Sequence, residues 1–191
     1  MKSYIRTFSI AVFFFLAVGV APVLGQDPGA RGPLAVTREE YNFGDTAFTP
    51  TDFPGPVELL ASIHYPTNLA GGPRPVILFL HGRHVTCFNG GGAQFLQWPC
   101  TMGNQPIPSY QGYDYVSEVL ASHGYVVVSI SANGVNGVDN SVFDLGALAR
   151  AELIQKHLDI LKGFNSTGGA PFGTKFVGCE PQHCQIGAIH V

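Results

Sequence analysis

Between Val57 and Tyr65 the chain places Val57, Leu59, Ala61, Ile63 and Tyr65 at every second position. A period of two predicts a strand. Val76 to Leu80 (VILFL) and Tyr125 to Ile130 (YVVVSI) are near-continuous apolar runs, the pattern of strands covered on both faces. Between them, residues 112–123 repeat apolar positions at three- and four-residue spacing, Val116, Val119, Leu120 and His123, and Gly124 follows as a stop. That spacing predicts a helix. A second helix is predicted over 141–162, with Ser141 and Asp144 as a capping box, Ala147, Ala151, Ile154, Leu158 and Leu161 as its apolar stripe, Lys156 and Lys162 towards its negative end, and Gly163 as its end. Residues 185–191 (QIGAIHV) read as the start of another strand.

The intervening segments are rich in turn formers. Residues 34–56 carry Pro50, Pro54 and Pro56 and predict an irregular entry with at most one edge strand. Residues 82–110 form a long loop, and residues 132–140, with Asn133, Gly134, Asn136, Gly137 and Asp139, form another. Asp139 and Asp144 are assigned turn and capping roles. Strands alternating with helices predict an α/β fold with a mostly parallel sheet flanked by helices. In such sheets ligands sit at the carboxyl ends of strands, here His81-Gly82 and Ser131-Ala132-Asn133.

The first 25 residues change the picture of where the protein works. Lys2 and Arg6 precede an apolar run of 13 residues, Phe8 to Val20, and small residues including Gly25 precede Gln26. This is the pattern of a cleaved secretory signal over 1–25, too short to favour a membrane span. A secreted or periplasmic protein with no membrane association after cleavage is expected. Residues 26–33 read as a flexible leader. Only 12% of residues are charged and the formal net charge is −3, which leaves no electrostatic footprint for nucleic acid. Cys87, Cys100, Cys179 and Cys184 are an even set in an exported chain, which points to disulfides. Pairing 87–100 and 179–184 is the most economical of three connectivities. A bridge across 87–100 would contribute about 3 kcal/mol through loop closure. The oligomeric state is left open.

PVILFLHGRH (75–84), followed by a loop, a helix, ASHGYVVVSISAN (121–133) and a long amphipathic helix, resembles the N-terminal part of α/β-hydrolases, in the branch of secreted bacterial esterases and cutinase-like polyester hydrolases. The resemblance covers residues 57–191, with 26–56 as an irregular entry, and implies an incomplete α/β-hydrolase fold. It implies that His81 marks the oxyanion strand and that the backbone of Gly82 and Arg83 forms one side of an oxyanion hole, with His84 as the second choice of donor. Such a hole needs N–H groups already aimed at the tetrahedral oxyanion. The alternative is that His81-Gly82 is only a strand-ending turn. The implied activity is carboxylic-ester hydrolysis on a small-molecule or polymer ester, with no cofactor and no metal.

Such a hydrolase also needs G-x-S-x-G, then an acid, then a histidine. None of the 191 residues supplies a G-x-S-x-G, and His190 stands where the family has glycine. No catalytic triad residue is therefore assigned. The chain as given is expected to be catalytically silent, with the tail CEPQHCQIGAIHV reading as truncated or frame-disrupted. The rival reading is a non-catalytic secreted module that binds a ligand or polymer. Phe88, Phe95 and Trp98 lie in the long loop beside the oxyanion strand. They either line a substrate pocket or pack the loop around a Cys87–Cys100 bridge. Two metal-like spacings, His81/His84/Cys87 and Cys179/His183/Cys184, are set aside because exported cysteines more often pair.

Overall fold

The computed structural model describes residue 27 and residues 29–70 and 72–177. The signal segment 1–25, the pair Cys179 and Cys184, the strand expected at 185–191 and His190 all lie outside the described residues. Among the described residues seven strands and three α-helices follow in order. They are β1 (Val36–Asn42), β2 (Leu60–Pro66), β3 (Val76–Leu80), β4 (Cys87–Phe88), β5 (Gln94–Phe95), β6 (Gln105–Pro106), α1 (Asp114–Ser122), β7 (Val126–Ile130), α2 (Asn133–Val138) and α3 (Ala147–Ser166).

The main sheet has the order β1-β2-β7-β3. β1 pairs antiparallel with β2, β2 antiparallel with β7, and β3 parallel with β7 from Val76↔Val126 to Leu80↔Ile130. The expectation of a mostly parallel sheet is corrected to a mixed one. Parallel neighbours need a long crossover, and among the described residues only β3 and β7 have one, through α1. β1 reaches β2 without a helix.

The period-two reading of β2 holds. Ala61, Ile63 and Tyr65 face a core shared with Leu59, Tyr41, Ala149, Leu153, Phe164 and Phe172. Ser62 and His64 alternate with them and meet Asp114 at the start of α1. α3 and α1 therefore cover opposite faces. Val127, Val128 and Ile130 are fully buried, as the apolar run requires. β3 is only half-buried because it ends the sheet within the described residues.

Three predicted elements shift. The helix expected at 112–123 is α1, entered through a 3-10 turn at Ser109–Tyr113 and ended by Gly124 at φ +106°. The loop expected at 132–140 contains α2 and a 3-10 turn at Asp139–Ser141. The glycines of α2 mark close approach, not a turn. A Cβ on Gly134 would lie 2.8 Å from the Val57 Cα, and one on Gly137 would lie 2.8 Å from the Gln97 carbonyl carbon.

The long helix begins at Ala147, not Ser141. The Asp144 carboxylate accepts the N–H groups of Gly146 and Leu148, 2.9 and 2.8 Å away, so it caps the later start. Gly163 does not end the helix, which runs to Ser166. The predicted stripe holds in part: Ile154 and Leu161 pack against the core, but Ala147 and Ala151 are exposed and the buried positions are Ala149, Leu153, His157 and Phe164. His157 can occupy that face because the Tyr41 hydroxyl lies 2.7 Å from its Nδ1. Residues 29–34 are no free leader either. The Gly32 and Leu34 N–H groups bond Ser122, at 2.7 Å to its Oγ and 3.1 Å to its carbonyl.

Candidate functional site

His81 follows the last residue of β3 and is buried. Its Nε2 accepts the Ala132 N–H at 2.9 Å. That bond needs a lone pair on Nε2, so the ring is neutral with its proton on Nδ1. Nδ1 faces the Gly82 carbonyl at 3.0 Å and His84 Nε2 at 3.1 Å. His84 in turn bonds the Val85 carbonyl through Nδ1, which leaves its Nε2 as an acceptor towards His81. The two rings lie 4.8 Å apart, centroid to centroid. Burial pushes the His81 imidazole down to about 4, so it stays neutral at ordinary pH.

The loop that follows is open to solvent at Gly82 and Arg83. Among the described residues, the backbone N–H groups of Arg83 and His84 donate to no protein acceptor. The Gly82 carbonyl accepts from Asn136 Nδ2 at 3.1 Å. The Arg83 guanidinium forks onto Asp139, with Nε 2.8 Å from Oδ2 and Nη2 2.9 Å from Oδ1. Arg150 Nη2 reaches the same Oδ2 at 2.9 Å. Asp139 is completely buried, so the turn role expected for it is the lesser part of what it does. Its burial works to raise the carboxyl, but the two guanidiniums outweigh this and hold it below its ordinary range.

An open cleft of about 530 Å³ lies beside this loop, lined by His81, His84, Val85, Ile107, Ser109, Gly112 and Tyr113. Its size falls within the range of small-molecule sites. The Tyr113 ring is held by stacking on Phe79 at 4.9 Å. Ile107 is fixed by its N–H on the Thr86 carbonyl, 2.8 Å away. Most of this lining is apolar, and its polar side chains are the two histidines, Ser109 and the Tyr113 phenol.

Of the oxyanion-strand residues expected from the sequence, His81 and the second-choice donor His84 line the cleft, and Gly82 and Arg83 connect them without being part of its lining. Phe88, Phe95 and Trp98 are not part of this lining. Phe88 is exposed, and Phe95 sits in β5 against β4. Trp98 donates its indole N–H to the Asp45 carbonyl at 2.8 Å and packs against Gly137. Cys87 and Cys100 form a disulfide with Cα atoms 5.7 Å apart. Cys87 is therefore no ligand, and among the described residues no group of three or more His, Cys, Asp or Glu is placed to hold a metal. No described helix is long and apolar enough to cross a membrane.

Sequence reasoning missed Asn136, Asp139 and Arg150 as a unit, and it missed Glu58. The Glu58 carboxylate is completely buried and accepts the N–H groups of Asn133 and Gly134 at 2.7 and 2.8 Å, holding the start of α2. Burial raises its carboxyl above the ordinary range. One signal was available for Asp139. A charged residue inside a Gly/Asn-rich apolar stretch has to find a partner if it is buried. No protein-family model matches the chain, and no curated protein matches it.

Proposed function

We propose that this chain is an exported protein of α/β-hydrolase type, of carboxylic-ester hydrolase ancestry, and that the cleft beside His81 receives the carbonyl or carboxylate end of its ligand. One observation carries the reading. Among the described residues, the N–H groups of Arg83 and His84 have no acceptor, on a hydrogen-bonded loop at the carboxyl end of β3, and His81 and His84 line the cleft beside it. An acyl-transfer site needs donors of this kind, fixed before substrate arrives. The position also matches the family's plan, in which one donor comes from the loop between the third strand and the first helix. The disulfide is compatible with an exported chain.

These 191 residues hold the oxyanion side of such a site and no G-x-S-x-G nucleophile. The chain is therefore expected to bind short carboxylates and to leave p-nitrophenyl butyrate unhydrolysed by any serine route. Butyrate titration followed by amide NMR, alongside the ester assay with a phosphonate probe, tests both halves. Turnover blocked by the phosphonate would remove the claim of silence. Absence of any butyrate-induced shift at Arg83 and His84 would remove the assignment of the cleft. The rival reading, a binding module without catalysis, is favoured by the mainly apolar lining. It predicts ligands held through Tyr113, Val85 and Ile107 with no dependence on a carbonyl or carboxylate.

A further inference from the structure

We propose that Asn136, Asp139 and the Arg83 side chain act as positioning residues, fixing the Gly82–Arg83 peptide, which joins the cleft-lining His81 to His84, with the Arg83 N–H turned away from α2. The proposal deepens the reading of the cleft given above. Its basis is a closed circuit of hydrogen bonds that begins and ends on adjacent residues. Asn136 Nδ2 donates to the Gly82 carbonyl at 3.1 Å, and Asn136 Oδ1 accepts from Arg150 Nη2 at 2.7 Å. The same Arg150 nitrogen bonds Asp139 Oδ2 at 2.9 Å, and Asp139 is gripped by the Arg83 fork. Arg83 Nη2 also donates to Asn140 Oδ1 at 2.7 Å.

The peptide group explains what the circuit achieves. A trans peptide is planar, with its C=O and N–H on opposite sides. The Gly82 carbonyl is held towards α2 by Asn136 and is met by His81 Nδ1 at 3.0 Å. The Arg83 N–H of the same plane must then point away from α2. A peptide next to glycine flips readily unless both its ends are tied. Here the carbonyl end is tied by Asn136 and the other end by the Arg83 side chain.

The backbone around the circuit is shaped to admit it. Gly146 has φ +75°, and a Cβ there would lie 2.8 Å from Val135 Cγ1 and 3.1 Å from Asp139 Cβ. Arg150 Nη1 is steadied by the Leu145 carbonyl at 2.6 Å. Arg83 itself is half-exposed, with 44% of its side chain accessible. It can be changed while Arg150 still neutralises Asp139.

The test uses the full chain without ligand first. The ¹⁵N order parameter of the Arg83 amide should be about 0.85 in the parent, as for rigid backbone, and fall below about 0.6 in Arg83→Met and Asn136→Asp. Arg83→Lys keeps the charge but lacks the fork, and should restore the order only in part. The melting temperature of Arg83→Met should stay within a few degrees of the parent, which a merely structural role would not pair with a mobile amide. If Asn136→Asp does not fold, the two Arg83 variants carry the test alone. An Arg83 amide that stays as ordered in Arg83→Met as in the parent overturns the proposal. Butyrate affinity is then measured, with a loss of about ten-fold expected in Arg83→Met. A loosened amide in Arg83→Met, with a parent that is ordered but binds no butyrate, would uphold the positioning and sink the reading of the cleft. Intact butyrate binding in a variant with a loosened amide would show that the peptide's orientation does not serve the cleft, and would overturn the proposal.

Discussion

His81 joins the carboxyl ends of β3 and β7 by accepting the Ala132 N–H on its Nε2 at 2.9 Å. The two strands already pair from Val76↔Val126 to Leu80↔Ile130, and the imidazole extends that pairing past the last ladder position. Replacing His81 by Leu leaves the buried Ala132 N–H without an acceptor. The expected cost is about 1–3 kcal/mol, read as a lower urea midpoint with an unchanged m-value. His81→Asn, which offers an acceptor on a shorter side chain, should recover part of it.

Stability should fall with acid before any carboxylate pair is broken. Burial pushes His81 down to about 4 and His157 down to about 3, and it lowers His64 as well. Each of these histidines is neutral in the folded protein at pH values where the unfolded chain, with ordinary histidines near 6.5, already binds a proton. Their contribution is complete above about pH 6.5 and is lost as the pH falls from there towards 4. Each fully depressed histidine adds a slope of about 1.4 kcal/mol per pH unit in that window. Urea midpoints between pH 7 and pH 4.5 measure it. His157→Gln keeps an acceptor for the Tyr41 hydroxyl and should flatten the curve by one histidine's share. An unchanged slope would refute the assignment.

The glycines should separate into two kinds. Gly134→Ala drives a Cβ to within 2.6 Å of Glu58 Oε2, and Gly137→Ala to within 2.7 Å of Trp98 Cβ. Both should destabilise by about 1–3 kcal/mol, the cost of overpacking. Gly163 lies inside α3 with nothing within 4 Å of an added Cβ. Gly163→Ala should stabilise by up to about 1 kcal/mol through helix propensity. Thermal melts of the three variants decide the matter, and a stabilising Gly134→Ala would contradict the close packing of α2.

How far the chain could be read from its sequence follows the range of the interactions. β3, β7 and α1 were legible because an apolar run or a helical period is a local signal. α2 was not, because Gly and Asn in NGVNGV mark a turn unless neighbours at Val57 and Gln97 are known. The stripe of α3 was legible only at Ile154 and Leu161, because His157 looks polar until Tyr41 is placed against it. Of the candidate cleft, His81 was legible as the end of an apolar strand in a contiguous His81-Gly82-Arg83 motif. Its support was not, since Arg83 and Asp139 are 56 positions apart and neither reveals the other. For Phe88, Phe95 and Trp98 the sequence left pocket lining and packing of the loop around the Cys87–Cys100 bridge both open. The antiparallel pairs between β4 and its neighbours β5 and β6 fold that loop into a small sheet of its own.

The Cys87–Cys100 bond has a consequence for how this protein ages. It closes the loop tip, with exposed Gly90, Gly91 and Gly92, into a covalent ring. Exposed glycine-rich tips are where proteases cut first. A single nick inside the ring breaks the backbone without parting the chain, so the damaged molecule keeps its mass until a thiol reaches it. Val85 and Ile107, which wall the cleft, lie outside the ring and are joined across its neck through the Thr86 carbonyl. The segment most open to wear is thereby uncoupled from the surface that would meet a ligand.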